Sequence, residues 1–418
     1  MVMSELQRID EYRNVPQISF GFGALKNLSD FADKLSKNKK IMLVTDENIE
    51  KIGIIKEPYN ALVDSSFSVD VYTAHAKEPD IGMVKTYIDA VRKNKYGLVV
   101  GIGGGSVMDL AKIVGVMQEN PGEIEEYVCP NNKQLIGSVP KILVPTTSGT
   151  GSECSNTAVV IIAQSHEYID AMKTWITGDA VLADAAIVDP TLTIQLPPEK
   201  TACSGMDALS HVAESVLSLQ ANPFSDAIAL KAIELISKNL KRAYSNGEDK
   251  EARWNMSLSA SIGGMVISYP WIAGPALLGH VASEGISAKL SISHGMACGV
   301  LLPYVYWYNF QNDYAVLKLS KIAEAMGVDT SGINAKESAK QAILRTFDLL
   351  EDVGLTTDLS QFAIGEKEIR SISNYILQRS EEMYSMSLYN PKKATLQNII
   401  EFFEKTLEGR KSIEKTLK

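Results

Sequence analysis

At 418 residues, with 45% apolar and 22% charged side chains, the chain is longer than one hydrophobic core usually serves and too apolar for extended disorder, so two domains are expected. A formal net charge of −9 argues against nucleic acid or an anionic membrane as partner, since both require a basic footprint. Cys129, Cys154, Cys203 and Cys298 form no CxxC pair, which disfavours a disulfide framework or a thiolate zinc site and points to reduced thiols in a cytoplasmic protein.

Residues 1–15 mix charges with no apolar core and do not read as a signal peptide. The first ~190 residues then alternate short apolar runs with helical patterns, as βαβ units do. Lys40–Thr45 is expected to be a buried strand ending at Asp46, and Val69–Tyr72 a second one. Helical spacing over Ile81–Lys93 leads to a strand at Gly97–Val100 that enters a glycine-rich turn. Lys141–Pro145, Ala158–Ile162 and Ala186–Val188 are further strand candidates. Beyond Pro197-Pro198, helical periods take over at Ser225–Asn239, Tyr314–Met326 and Asn334–Val353. The boundary is set near residue 193, giving an α/β domain over 1–193 and a helical domain over 194–418. The uncharged stretch Trp254–Ser283 is broken by Gly263, Gly264, Pro270, Gly274 and Pro275, so it reads as buried helices rather than a membrane span. The charged tail Glu408–Lys418 reads as a solvated helix end or a frayed terminus.

Two loops follow strands in the first domain. Gly101-Ile102-Gly103-Gly104-Gly105-Ser106 passes into a helix that carries Asp109 and Lys112. Glycines let a backbone approach a ligand closely and take up positive φ, and the first-turn amides then face an anion. Ser106 is a candidate N-cap or phosphate donor. The spacing departs from GxGxxG, so a ligand-free turn is an equal reading of this loop alone. Pro145-Thr146-Thr147-Ser148-Gly149-Thr150-Gly151-Ser152-Glu153 is a second, hydroxyl-rich loop after a strand, where open α/β sheets bind ligands. Together the two favour a nucleotide.

Three of the five histidines fall between His211 and His294. Asp207 and His211 are four apart, which on a helix places them on one face. His280 and His294 sit among apolar and small residues. A lone histidine in such surroundings is usually a satisfied core residue. Burying three imidazoles and a carboxylate without a shared partner is costly, and together they offer an N3O set that suits Fe²⁺, Zn²⁺, Ni²⁺ or Mn²⁺. His75 and His166 have no such company and read as structural or surface residues.

At this point the sequence resembles the iron-containing (group III) alcohol dehydrogenase family. The resemblance rests on Pro16-Gln17-Ile18-Ser19-Phe20-Gly21, Gly103-Gly104-Gly105-Ser106 with Asp109, Pro145-Thr146-Thr147 with Gly149-Thr150, and Ile187-Val188-Asp189-Pro190. It continues through Gly205-Met206-Asp207-Ala208, His294-Gly295, Leu301-Leu302-Pro303 with Asn309, and Asn390-Pro391, in the family's order. The fold it implies is an N-terminal nucleotide-binding α/β domain with a Rossmann-like parallel sheet, plus an all-helical C-terminal domain, the dehydroquinate synthase-like architecture. Cofactor and metal are then expected in the cleft between them. The implied ligands are Asp207, His211, His280 and His294, with Fe²⁺ expected and Zn²⁺ the alternative. Gly103, Gly104, Gly105 and Ser106 would hold the pyrophosphate, and Asp109, Thr146, Thr147, Thr150 and Lys173 would line the nucleotide site. Asp46 matches the position beside the adenosine ribose, where a carboxylate favours NAD(H) over NADP(H). Glu284 departs from the family, many of whose members carry histidine there, four residues past the third ligand. It is a candidate proton relay, a partner that orients His280, a group that reaches the metal, or a wall of the substrate pocket.

The implied activity is direct hydride transfer between nicotinamide and a small alcohol or aldehyde, in a homo-oligomer. Two other readings stay open: an NAD- and metal-dependent lyase resembling dehydroquinate synthase, and a non-catalytic binding protein that retains the fold.

Overall fold

A computed structural model describes residues 12, 14–75, 79–162, 172–269, 277–290, 292–362, 364–382 and 389–418. His166, Pro270, Gly274 and Pro275 of the sequence reading lie outside the described residues.

Among the described residues of the first half there are eight strands: β1 (Gln17–Phe20), β2 (Lys40–Asp46), β3 (Ser68–Ala74), β4 (Leu98–Gly103), β5 (Lys141–Pro145), β6 (Thr157–Ile162), β7 (Met172–Thr177) and β8 (Ala185–Val188). Six form a wholly parallel sheet in the order β1-β8-β5-β4-β2-β3. Buried on both faces, its central strands need apolar residues throughout, and β4 and β5 are buried at every position. Alternation sorts them to two cores. Met42, Val44 and Val99 face one, and Ile41, Leu43, Leu98, Val100 and Ile102 the other.

The helices α1 (Leu28–Leu35), α2 (Glu47–Lys51) and α3 (Lys56–Asp64) precede α4 (Ile81–Asn94) and α5 (Gly105–Glu119). Leu28 and Leu62 cover the second core, while Val84 and Met108 cover the first. Two strands were invisible to the hydrophobic pattern. β1 is an edge strand paired only to β8, so its side chains are exposed or half-buried. β7, of mixed sequence MKTWIT, pairs antiparallel with β6 in a ribbon outside the main sheet.

No strand follows Val188 among the described residues. The helical half begins with α6 (Pro198–Leu217), followed by α7 (Pro223–Ser245), α8 (Lys250–Ser268), α9 (Leu278–Leu290) and α10 (His294–Asn309). Among the described residues five further helices run from Asp313 to Thr416. α6 is buried along nearly its whole length and packs against α7, α8 and α10, at the centre of a core of its own. Among the described residues no helix is long and apolar enough to cross a membrane. The Asn309 and Asn390 pieces of the sequence reading meet in space: Asn390 Nδ2 and Lys392 N both donate to Asn309 Oδ1, at 3.0 and 3.1 Å.

The C-terminal tail corrects the expectation of a solvated or frayed end. Arg410–Thr416 is a helix with Ile413 buried, and Trp307 Nε1 donates to Thr416 Oγ1 at 3.0 Å. Arg410 also pairs with Asp348, Glu351 and Glu414. Charge dominates its composition, but one apolar stripe suffices to dock it.

Candidate functional site

The carboxyl ends of β2, β4 and β5 open onto two adjoining cavities that share Gly105, Ser106, Thr147, Lys173, Lys200 and His294. One, of about 920 Å³, reaches Asp46 and His75; the other, of about 330 Å³, reaches Asp207, His211, His280 and Glu284. Together they make one cleft between the sheet and the helical half.

The glycine turn is built for close approach rather than for unusual φ. Gly103, Gly104 and Gly105 are absent from the positive-φ positions, contrary to the expectation. A β-carbon at Gly103 would lie 2.7 Å from the Val107 side chain, and one at Gly105 2.6 Å from Thr150. The glycines therefore let α5 press onto its strand and onto the 146–151 loop. Ser106 is not the N-cap either. Gly104 holds that position, and no side chain caps α5, whose first turn opens on the cleft. A glycine cap leaves first-turn amides available to an anion.

Asp46 caps α2, its Oδ1 accepting from the amides of Asn48 and Ile49 at 2.8 and 3.1 Å, at the edge of the larger cavity. Asp109 lines the smaller cavity, but its carboxylate is spent inside the protein. It accepts from Ser152 Oγ at 2.6 Å and Val159 N at 3.0 Å, with Lys112 Nζ at 3.6 Å. Burial, only partly offset by Lys112, pushes its pKa up. Thr147, Thr150 and Lys173 line the cavities. Thr146 and Gly103 do not: Thr146 is buried behind the wall, its amide donating to Gly103 O at 2.9 Å. His75 is exposed and meets Glu47 at 2.7 Å, as a surface residue does.

In the helical wall, Asp207 and His211 share one face of α6, His280 comes from α9, and His294 opens α10. Gly295 permits this convergence, because a β-carbon there would overlap the Cys203 carbonyl of α6. Donor atoms of Asp207, His280, His294 and Cys298 all lie within 4.8 Å of one another. His211 stands beside that group, its ring stacked on His280 at 4.6 Å between centroids. Glu214, fully buried, meets His280 Nδ1 at 2.8 Å, and Gly279 leaves room for its carboxylate. That commits one nitrogen of His280 and leaves Nε2, in a residue 3% exposed, with no hydrogen-bond partner. His211 Nδ1 is likewise buried and unpartnered. Burial and the neighbouring His280 push His211 well below the usual histidine range; burial and Lys173 do the same to His294. For His280, burial opposes the charged form but Cys298 and Glu214 outweigh it, holding the pKa well above that range. Neutral His211 and His294, the buried Asp207 carboxylate and the unpartnered Nε2 of His280, whose proton a cation would displace, fit a divalent cation.

Glu284 lies in the smaller cavity one turn beyond His280 and outside the donor cluster. The orienting carboxylate of His280 is Glu214, not Glu284. Glu284 instead faces Arg379, 1% exposed, with Nη2 to Oε2 at 3.9 Å, and Arg379 also donates to the Lys173 carbonyl at 2.5 Å. Sequence reasoning missed Glu214, Cys298 and Arg379. The first two carried a signal: Glu214 follows His211 by three residues and Cys298 follows His294 by four, each on its ligand's own helix face. Arg379 reaches the site from a distant helix and carried none.

Comparison with known proteins bears on the whole chain. A family model described as iron-containing alcohol dehydrogenase matches residues 16–190, and one for the C-terminal part of that family matches residues 201–407. Long-chain-alcohol dehydrogenase 1 of Geobacillus thermodenitrificans is 34% identical over 366 residues, covering 87% of this chain and 89% of its own. A crystal structure of 1,3-propanediol oxidoreductase superposes with a TM-score of 0.87 at 27% identity, covering 95% of this chain and 99% of that one. Sulfoacetaldehyde reductase from Bifidobacterium kashiwanohense, in complex with NAD⁺, gives 0.82 at 26% identity, with 96% and 99% covered.

Proposed function

The chain belongs to the iron-containing alcohol dehydrogenase family, and on that premise we propose that it is an NAD(H)-linked, metal-dependent alcohol dehydrogenase or aldehyde reductase acting on small alcohols and carbonyl compounds. The observation that carries the reading is the meeting of Asp207, His280 and His294 in a cleft that continues past Lys173 to the uncapped N-terminus of α5. Asp207, His211, His280 and His294 hold the ion, with Fe²⁺ favoured by the family and Zn²⁺ compatible with the donors. When bound, the ion supplies Lewis acidity toward the substrate oxygen while the nicotinamide carries the hydride.

The protein's own part is position and charge. Glu214 keeps the His280 ring turned so that Nε2 faces the site. Gly104, Gly105 and Ser106 bring the amides of α5 to the dinucleotide phosphates. Asp46 accepts from a ribose 2′-hydroxyl and repels a 2′-phosphate, which selects NAD(H). Glu284 relays a proton between solvent and the substrate oxygen, and the buried Arg379 beside it keeps its carboxylate in place. The unpaired buried cysteines support a reducing, cytoplasmic setting, and a homo-oligomer is the expected assembly.

The test is anaerobic removal of metal, reloading with Fe²⁺ or Zn²⁺, and an NADH-oxidation screen across aldehydes. Turnover should appear only on reloading. Equal turnover by the stripped protein sinks the metal assignment, and absence of net NADH chemistry with any alcohol or aldehyde favours a lyase or a binding protein. Glu284→Gln should change the pH–rate profile. A profile left unchanged, with KM alone affected, makes Glu284 a pocket wall.

A further inference from the structure

Cys298 stands where a core cysteine has no reason to be. It follows His294 by four residues on α10, so both project from one face of that helix. Its sulfur lies 3.5 Å from His294 Nε2 and 3.9 Å from Nδ1, and it joins the Asp207, His280 and His294 donors within 4.8 Å of one another. The residue is 2% exposed. Aimed at the same point is His280 Nε2, buried and without a hydrogen-bond partner, because Glu214 occupies the other ring nitrogen. A thiol that served only to fill the core would sit against apolar side chains, whereas this one sits among metal-type donors.

We propose that the Cys298 thiolate coordinates the ion at this site, as a sulfur donor beside Asp207, His280 and His294. The inference rests on the metal-binding reading above and adds to it a ligand of different chemical class. Binding exchanges the S–H bond for a metal–sulfur bond and releases the proton to solvent, with no change of oxidation state. Carboxylate and thiolate together then balance a dication. The soft donor biases the site toward Zn²⁺, Co²⁺ and Fe²⁺ and away from Mg²⁺ and Mn²⁺.

Anaerobic titration of the stripped protein with Co²⁺ tests this by spectroscopy, independently of turnover. The wild type should develop a near-ultraviolet thiolate-to-cobalt charge-transfer band that saturates at one equivalent, and X-ray absorption should show a sulfur neighbour at about 2.3 Å. Cys298→Ser should lose the band and bind cobalt about 10- to 100-fold more weakly. Cys203→Ser, at the cysteine that lines the cavity, should keep the band. A wild-type protein that holds one cobalt without a sulfur neighbour overturns the proposal and leaves the metal centre standing. So does a band that survives in Cys298→Ser. Failure of the wild type to bind cobalt at all overturns the metal centre and the thiolate with it. Should the variant not fold, the wild-type absorption spectrum decides alone.

Discussion

The two walls of the cleft are made of different material. The sheet side is backbone: a glycine turn, an uncapped helix start, and a loop whose residues lean on them. The helical side is buried side chains, with Glu214 beneath His280 and Cys298 beside His294. Changes in the first wall act through crowding, since the space for a β-carbon is already taken. Changes in the second act through donors left without a partner. The two walls should therefore fail in different ways.

The largest separation is expected from His280→Ala. It should remove the ion and lower kcat/KM by about three orders of magnitude, while nucleotide binding, read by fluorescence titration, stays near wild type. Loss of nucleotide binding in parallel breaks the comparison. Glu214→Gln acts one step further out. Metal affinity should fall by about 10- to 100-fold, again with nucleotide affinity kept, and elemental analysis across a chelator series reads it. Gly105→Ala should do the reverse. Its new methyl meets Thr150 at 2.6 Å, so nucleotide affinity should weaken at a cost of about 1–3 kcal/mol with metal content unchanged.

The last effect lies behind the sheet wall, at Lys141. Burial, only partly offset by Asp184, pushes its ammonium down to about 8. Because this folded-state value lies below the ordinary lysine range, the unfolded chain holds the proton to higher pH. The contribution to stability therefore rises with pH from about 8 into the ordinary lysine range, and is lost as pH falls through about 8. Lys141→Met should flatten that rise, by on the order of 1–3 kcal/mol, in denaturant unfolding compared across the window. Equal slopes in the two proteins show that Lys141 reaches solvent when charged.

Much of this was legible in the chain. β2, β4 and β5 announced themselves as apolar runs, because a parallel strand covered on both faces has no polar side to present. The pair Asp207 and His211 was legible because a helix repeats its faces at four residues. β1 and β7 were not, since an edge strand and a two-stranded ribbon need no apolar run. Ser106 looked like a cap because local preference favours serine there, but the cap is Gly104, two residues earlier.

By itself the sequence determined the alternation of strands and helices, the two glycine- and hydroxyl-rich loops that follow strands, and the pairing of Asp207 with His211 on one helix face. Those are properties of local spacing and of residue chemistry. Only the tertiary structure decided that Glu214, rather than Glu284, orients His280, that Arg379 faces Glu284, and that Cys298 joins the donors. The reason is physical. Spacing along one helix says which side chains share a face, while the distance between helices is set by packing, here by Gly279 and Gly295 permitting contacts that any β-carbon would block.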